Sequence, residues 1–262
     1  NAQNIDREVV NFNFGWKFMK GDFPDARTPE FDDSGWRTFD IPHDWSIEGP
    51  FSPKWASCTG YLPGGIGWYR KTFDVPRSWK KGKVFVMFEG IYNNSEIWIN
   101  GNYLGKRPNG YISFQNDITP FLKYGKTNIM SVKIDHSKYA DSRWYTGSGI
   151  YRNVKLIFTP EIHIELWGIN YTTRVIDNNR AEMDIKVKVV NEKNNKANVE
   201  LVSVLYDGNE IIDQVSSLLT LQPAGETLVE QKLVVPEPIL WSVDNPHLYT
   251  LVTTVKGRRF SD

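Results

Sequence analysis

Apolar residues return at every second position in segment after segment of this chain, and no run of ten or more residues carries the period of a helix. Met183, Ile185, Val187 and Val189 alternate with Asp184, Lys186 and Lys188. That rhythm suits a strand with one face buried and the other in water. Asn194-Asn195 supplies a turn, residues 199–206 repeat the pattern, and Asp207-Gly208 signals a hairpin. Residues 228–235 and 248–255 read as two more strands. Residues 84–88 are apolar at every position, which predicts a central strand covered on both faces. Glu96-Ile97-Trp98-Ile99, then Asn100-Gly101, then Asn102-Tyr103-Leu104-Gly105 predicts a hairpin, because Asn-Gly fits the positive φ angles of a type I′ turn. Residues 129–134 and 154–158 add strands, so the chain is expected to be all-β.

The strands fall into two groups. Of the 14 Phe, 12 Tyr and 10 Trp, 13, 9 and 8 lie before residue 160. The aromatic part is rich in turn residues, as in Asp33-Ser34-Gly35 and Pro63-Gly64-Gly65, and predicts a larger jelly-roll β-sandwich over residues 1–160. The plainer part, with turns roughly every 8–12 residues, predicts an immunoglobulin-like β-sandwich over residues 161–262. The boundary is placed at Thr159-Pro160, since proline punctuates strand ends. The start Asn1-Ala2-Gln3 and the stop straight after a strand pattern are those expected of a fragment.

Charge and motifs exclude several functions. Lys+Arg and Asp+Glu both total 31, with no basic stripe, which argues against a nucleic-acid partner. No apolar run approaches the roughly 18 residues of a membrane span. His43, His136, His163 and His247 are scattered rather than spaced as zinc ligands, and read as structural hydrogen-bonders. Gly147-Ser148-Gly149 is too short for a nucleophile elbow, and no phosphate-binding glycine motif is present. The single cysteine, Cys58, has no basic neighbour to activate it. What remains is aromatic plates beside carboxylates and amides, the chemistry that holds sugars. Residues 135–145 and Tyr92-Asn93-Asn94 combine these groups, and loops that lie at the surface often carry function.

Several pieces in order resemble the non-catalytic N-terminal part of glycoside hydrolase family 2 enzymes, closest to the β-galactosidases. They are Asp32-Asp33-Ser34-Gly35-Trp36 with Pro42-His43-Asp44-Trp45, Gly67-Trp68-Tyr69-Arg70-Lys71-Thr72-Phe73, and Trp98-Ile99-Asn100-Gly101. The run from Arg143-Trp144-Tyr145-Thr146-Gly147-Ser148-Gly149 to Ile150-Tyr151-Arg152 follows, and then Leu240-Trp241-Ser242 with Pro246-His247-Leu248-Tyr249.

The resemblance implies a (β/α)₈ barrel beyond Asp262 that carries both catalytic glutamates, so no catalytic residue is expected in this chain. The Asn191-Glu192 and Asn209-Glu210 dipeptides are read as solvated turn residues. It also implies that loops of the first sandwich form one wall of the sugar pocket. Asp135 matches a family aspartate near the sugar and a bound sodium ion, and is therefore both a substrate-binding and a metal candidate. Tyr92 stands where some relatives have asparagine, with Asn93 next to it. Arg143 and Trp144 complete the substrate-binding set, or are structural, with Arg143 pairing Asp141. No cofactor is expected in the fragment itself, and sodium or magnesium in the full-length parent. The expected partner is a carbohydrate shared with the barrel. The expected parent activity is hydrolysis of terminal β-galactosides. The alternatives are a stand-alone carbohydrate-binding module, a β-glucuronidase or β-mannosidase front end, or an adhesive sandwich. A periplasmic or secreted location is expected, and oligomeric state is not readable.

Overall fold

The structure is a computed structural model, and it describes residues 5–138, 145–177, 179–258 and 260–262. In chain order the strands are β1 (Ile5–Asp6), β2 (Glu8–Asn11), β3 (Trp16–Lys20), β4 (Arg37–Phe39), β5 (Gly65–Asp74), β6 (Gly82–Phe88), β7 (Ser95–Ile99), β8 (Asn102–Arg107) and β9 (Phe114–Asp117). They continue as β10 (Thr127–His136), β11 (Val154–Pro160), β12 (Ile162–Asp177), β13 (Arg180–Asn191), β14 (Ala197–Asp207), β15 (Glu210–Leu221), β16 (Gly225–Pro236), β17 (Thr250–Gly257) and β18 (Phe260–Ser261). The helical elements among the described residues are short 3₁₀ turns, and none is long and apolar enough to cross a membrane. The chain is all-β. It divides into two compact units: Glu8–Phe158, and Thr159–Asp262 with the N-terminal residues through Arg7.

The aromatic unit is a sandwich of a six-stranded sheet, ordered β4-β3-β5-β10-β7-β8, and a four-stranded sheet, ordered β2-β11-β6-β9. Trp16, Phe18, Tyr69, Val84, Val86, Phe88, Met130, Val132 and Ile134 are buried in it. Strand β6 is internal to its sheet, but only Val84, Val86 and Phe88 are buried, while Phe85 and Met87 are half-exposed. The double cover expected from its unbroken apolar run is therefore incomplete: an apolar run fixes neither face until something packs on it.

Double cover falls instead on β5, where Trp68, Tyr69 and Arg70 are all buried. The connection between β3 and β4 folds over the outer face of the sheet. Its Ala26 and Trp36 join Trp68 and Trp98 in a second cluster, with the Trp68 and Trp98 rings stacked 5.4 Å apart.

The β7–β8 hairpin turns at Asn100-Gly101, with φ of 49° and 82°, as the sequence predicts. A Cβ added at Gly101 would sit 3.3 Å from Pro29 Cδ. Gly101→Ala is expected to cost the unit about 1–2 kcal/mol, since an L-residue pays roughly that in left-handed backbone. A urea midpoint unchanged in this variant would contradict the turn assignment.

The second unit pairs a five-stranded sheet, ordered β1-β18-β17-β14-β15, with a three-stranded sheet, ordered β12-β13-β16. Alternation along β13 buries Ala181, Met183, Ile185, Val187 and Val189 against Val199, Leu201, Leu205 and Val255. The hairpin after β14 turns at Gly208-Asn209, one residue later than the Asp207-Gly208 signal, because Asp207 still pairs with Glu210.

Candidate functional site

Strand β10 lies between β5 and β7 and ends at Asp135-His136. Alternation turns His136 into the interior, where it is buried, and leaves Asp135 half-exposed. The loop between β6 and β7 docks onto this strand end. The Asp135 N–H donates to the Asn93 carbonyl at 3.2 Å, and Asn94 Nδ2 donates to the Asp135 carbonyl at 3.1 Å. Structure thus brings Asp135 and Asn93 together from distant parts of the sequence. Tyr92 is buried. Its ring meets His136 edge-on at 5.0 Å and Tyr111 at 5.4 Å, and its backbone exchanges two 3.0 Å bonds with Gly149. Arg143 and Trp144, and Asp141 as a partner of Arg143, lie outside the described residues.

Asp135 Oδ1 accepts the Ser137 N–H at 3.0 Å and the Ser137 hydroxyl at 2.5 Å. Partial burial pushes this carboxyl up, but the two Ser137 bonds together with Lys133 and Lys106 outweigh it. The group is held below its ordinary value and is ionised at neutral pH. An ionised carboxylate can accept sugar hydroxyls and can ligate a hard cation. Asn93 Oδ1, buried without a hydrogen-bond partner, is a second oxygen of the kind such a cation takes. Among the described residues no group of three or more His, Cys, Asp or Glu side chains is placed to hold a metal ion.

The strand end rests on a polar network that joins two motifs far apart in sequence. Asp44 Oδ1 accepts the N–H groups of Ser46 (2.9 Å) and Ser148 (2.8 Å), and Oδ2 accepts the Tyr145 hydroxyl at 2.6 Å. Burial, reinforced by the Asp44 carboxylate, raises the Tyr145 phenol well above its usual range, so it stays protonated and donates. Ser148 Oγ lies 2.7 Å from Ser46 Oγ and 2.7 Å from His136 Nδ1. The backbone adds His43 N–H to Ile150 O and Trp45 N–H to Ser148 O. The close fit explains the glycines: a Cβ at Gly149, whose φ is 141°, would lie 2.3 Å from the His43 carbonyl oxygen.

Asp44, Ser148 and His136 were legible as motif residues or hydrogen-bonders, but their meeting was not. His43 follows the structural reading, with Nδ1 2.6 Å from the Tyr69 hydroxyl and Nε2 3.2 Å from Glu48; burial lowers its pKa. The reading of the Asn191-Glu192 dipeptide is corrected in part. Asn191 is buried, not solvated: its Nδ2 donates to the carbonyls of Asn195 and Gln222, and its Oδ1 accepts the Lys193 N–H. A turn that folds back on the sheet needs its carbonyls satisfied, and this amide does so. Glu192, Asn209 and Glu210 are exposed.

Comparison with known proteins accounts for both halves. Residues 16–160 match the family model of the glycosyl hydrolases family 2 sugar binding domain, and residues 162–262 match that of glycosyl hydrolases family 2. A β-galactosidase from Bacteroides ovatus is 46% identical over 254 residues, which are 95% of this chain and 30% of that protein. A putative β-glucuronidase from Formosa agariphila is 38% identical over 265 residues, 100% of this chain and 24% of that protein. The crystal structure of a family 2 member from Bacteroides cellulosilyticus superposes with a TM-score of 0.92 at 34% identity, over 97% of this chain and 34% of that one. The chain therefore spans about a third or less of the length of these relatives.

Proposed function

The chain belongs to glycosyl hydrolase family 2, and from that membership we propose that it is the non-catalytic front end of a retaining β-galactosidase. The observation that carries this reading is the 46% identity to the Bacteroides ovatus β-galactosidase, along 95% of the chain but only 30% of that enzyme. In the proposal, a barrel outside this chain supplies the acid/base and nucleophilic carboxylates that retention requires, about 5–5.5 Å apart. The present chain supplies a wall of the pocket, with the Asp135 carboxylate accepting sugar hydroxyls and, alongside Asn93 Oδ1, offering oxygen to a sodium ion. Tyr92, which is buried, backs this wall in the proposal.

A β-glucuronidase parent is the second reading, favoured by the Formosa agariphila relative. The two readings separate on the full-length parent assayed with nitrophenyl β-galactoside and β-glucuronide. The galactoside is expected to be turned over at least about tenfold faster, a difference of roughly 1.4 kcal/mol in barrier. Preference for the glucuronide would overturn the galactosidase reading. Hydrolysis by the present 262 residues alone would overturn the assignment of the catalytic groups to another domain.

A further inference from the structure

Strand β12 is interrupted near its start. Its ladder with β13 runs to the pair Ile164–Val189 and resumes at Ile169–Val187, so residues 165–168 stand opposite Lys188 alone. Insertions of this kind re-aim side chains and gather beside functional sites. Within this one Trp167 has a φ of 56°, uncommon for so bulky a residue, and is 61% exposed. Core packing does not account for a strained residue that is mostly in water, and such strain marks a candidate site. The insertion borders a cleft of about 310 Å³, within the second unit and at the low end of the roughly 300–1,000 Å³ of small-molecule pockets. Its wall combines Trp167 and Ile169 with Thr253 and the charged groups of Arg7, Glu165 and Asp262.

The charged groups differ in what a ligand can reach. The Asp262 side chain is fully buried, and its oxygens accept from Arg7 Nε at 2.7 Å, from Arg7 Nη2 at 2.9 Å and from the Ile164 N–H at 2.6 Å. Arg7 Nη2 also donates to the Ile164 carbonyl at 2.6 Å. Arg7 Nη1 takes no part in these bonds and has no hydrogen-bond partner among the described residues, and the side chain is 30% exposed. The Glu165 side chain is 39% exposed and pairs with Lys188 at 3.1 Å, which leaves lone pairs of the carboxylate open to a further donor. An accessible indole, an N–H donor and a carboxylate acceptor thus border one cleft. A pyranose offers each its complement: a patch of C–H bonds for the indole, and hydroxyls that both accept and donate. A carboxylate on the ligand would instead meet Glu165 and find the guanidinium already matched by Asp262. We propose that this cleft binds a neutral pyranose, its C–H face on Trp167, one hydroxyl accepting from Arg7 Nη1 and another donating to Glu165. The site uses none of the groups assigned to the pocket wall, so it stands or falls independently of the hydrolase reading.

The test is calorimetric titration of the 262-residue chain with methyl β-galactoside and methyl β-glucoside. The indole Nε1–H resonance of Trp167, assigned by its loss in Trp167→Tyr, is followed by NMR. At least one glycoside should bind in the millimolar range and shift that resonance. Trp167→Ala should weaken binding by about tenfold or more, and Trp167→Tyr, which keeps an aromatic plate, by about threefold or less. Glu165→Gln should weaken it by about threefold or more, through loss of a charge-assisted bond, and decides the matter if Trp167→Ala fails to fold. Sodium glucuronate should bind about tenfold more weakly than the better glycoside. Galactotetraose separates the two sources of a pyranose: binding about tenfold tighter than the methyl glycoside assigns the site to a glycan chain, equal binding assigns it to a free sugar, and either supports it. Absence of any titration, an unmoved Trp167 resonance, wild-type affinity in either Trp167→Ala or Glu165→Gln, or glucuronate binding as tightly as the glycoside would each overturn the proposal.

Discussion

Asp33→Ala is expected to lower the stability of the aromatic unit by about 3 kcal/mol, the low end for removing one partner of a buried ion pair. Arg70 sits mid-strand in β5 with a side-chain exposure of 1%, and Asp33 keeps 17%. Its guanidinium holds the connection over the sheet: it donates to the carbonyls of Ala26, Thr28 (2.9 Å) and Phe31 (3.5 Å), and to Ser131 Oγ at 3.1 Å. Those acceptors take its N–H groups, and among the described residues Asp33, 2.8 Å from Nε, is the carboxylate paired with its charge. Without Asp33 the buried cation loses its paired carboxylate. Lys17 also reaches Asp33, at 2.6 Å, but is 35% exposed, so Lys17→Met should cost under about 1 kcal/mol. Urea unfolding followed by tryptophan fluorescence reads this unit, since 8 of the 10 tryptophans precede residue 160. A wild-type midpoint for the alanine variant would refute the clamp.

The same pair predicts a pH dependence. Burial pushes the Asp33 carboxyl up, but Lys17 and Arg70 outweigh that and hold it below its ordinary value. The unfolded chain then binds the proton at higher pH than the folded one does. The contribution is fully present above the unfolded carboxyl value and is lost as pH falls through the folded one. Asp33→Asn should flatten that acid limb of the stability curve.

The second large effect concerns catalysis in the full-length parent. On the proposed reading, Asp135→Ala should lower kcat/KM by about 10²-fold, from the loss of two charge-assisted hydrogen bonds at roughly 1.5 kcal/mol each. Stability should hardly move, within about 0.5 kcal/mol. Among the described residues the side chain bonds the adjacent Ser137, and the backbone clamps from Asn93 and Asn94 survive the substitution. A variant that keeps full kcat/KM would remove Asp135 from the pocket wall. A large fall in melting temperature instead would make its role structural.

Local pattern carried much of the fold. The alternation of residues 183–189 became β13 with the same residues inward, and Asn100-Gly101 became the turn it spells. These features depend on neighbours one to three residues away, so a linear reading finds them. Residues 84–88 did not resolve, since an unbroken apolar run is silent about which face will be covered. Asn191 misled in the other direction, a polar residue that is buried because the loop it satisfies folds back on it.

The sequence by itself determined the period-two strands, the turns and, through its motif order, the family. Tertiary structure alone decided that Arg70 is buried under a loop reaching back 37 residues, and that Ser46 and Ser148 meet across 102. It also decided that Asp135 and Asn93 share one strand end. The physical reason is range. Strand period and turn type follow from local backbone sterics, whereas the cover of an outward face and the satisfaction of a buried polar atom depend on which distant segment packs there.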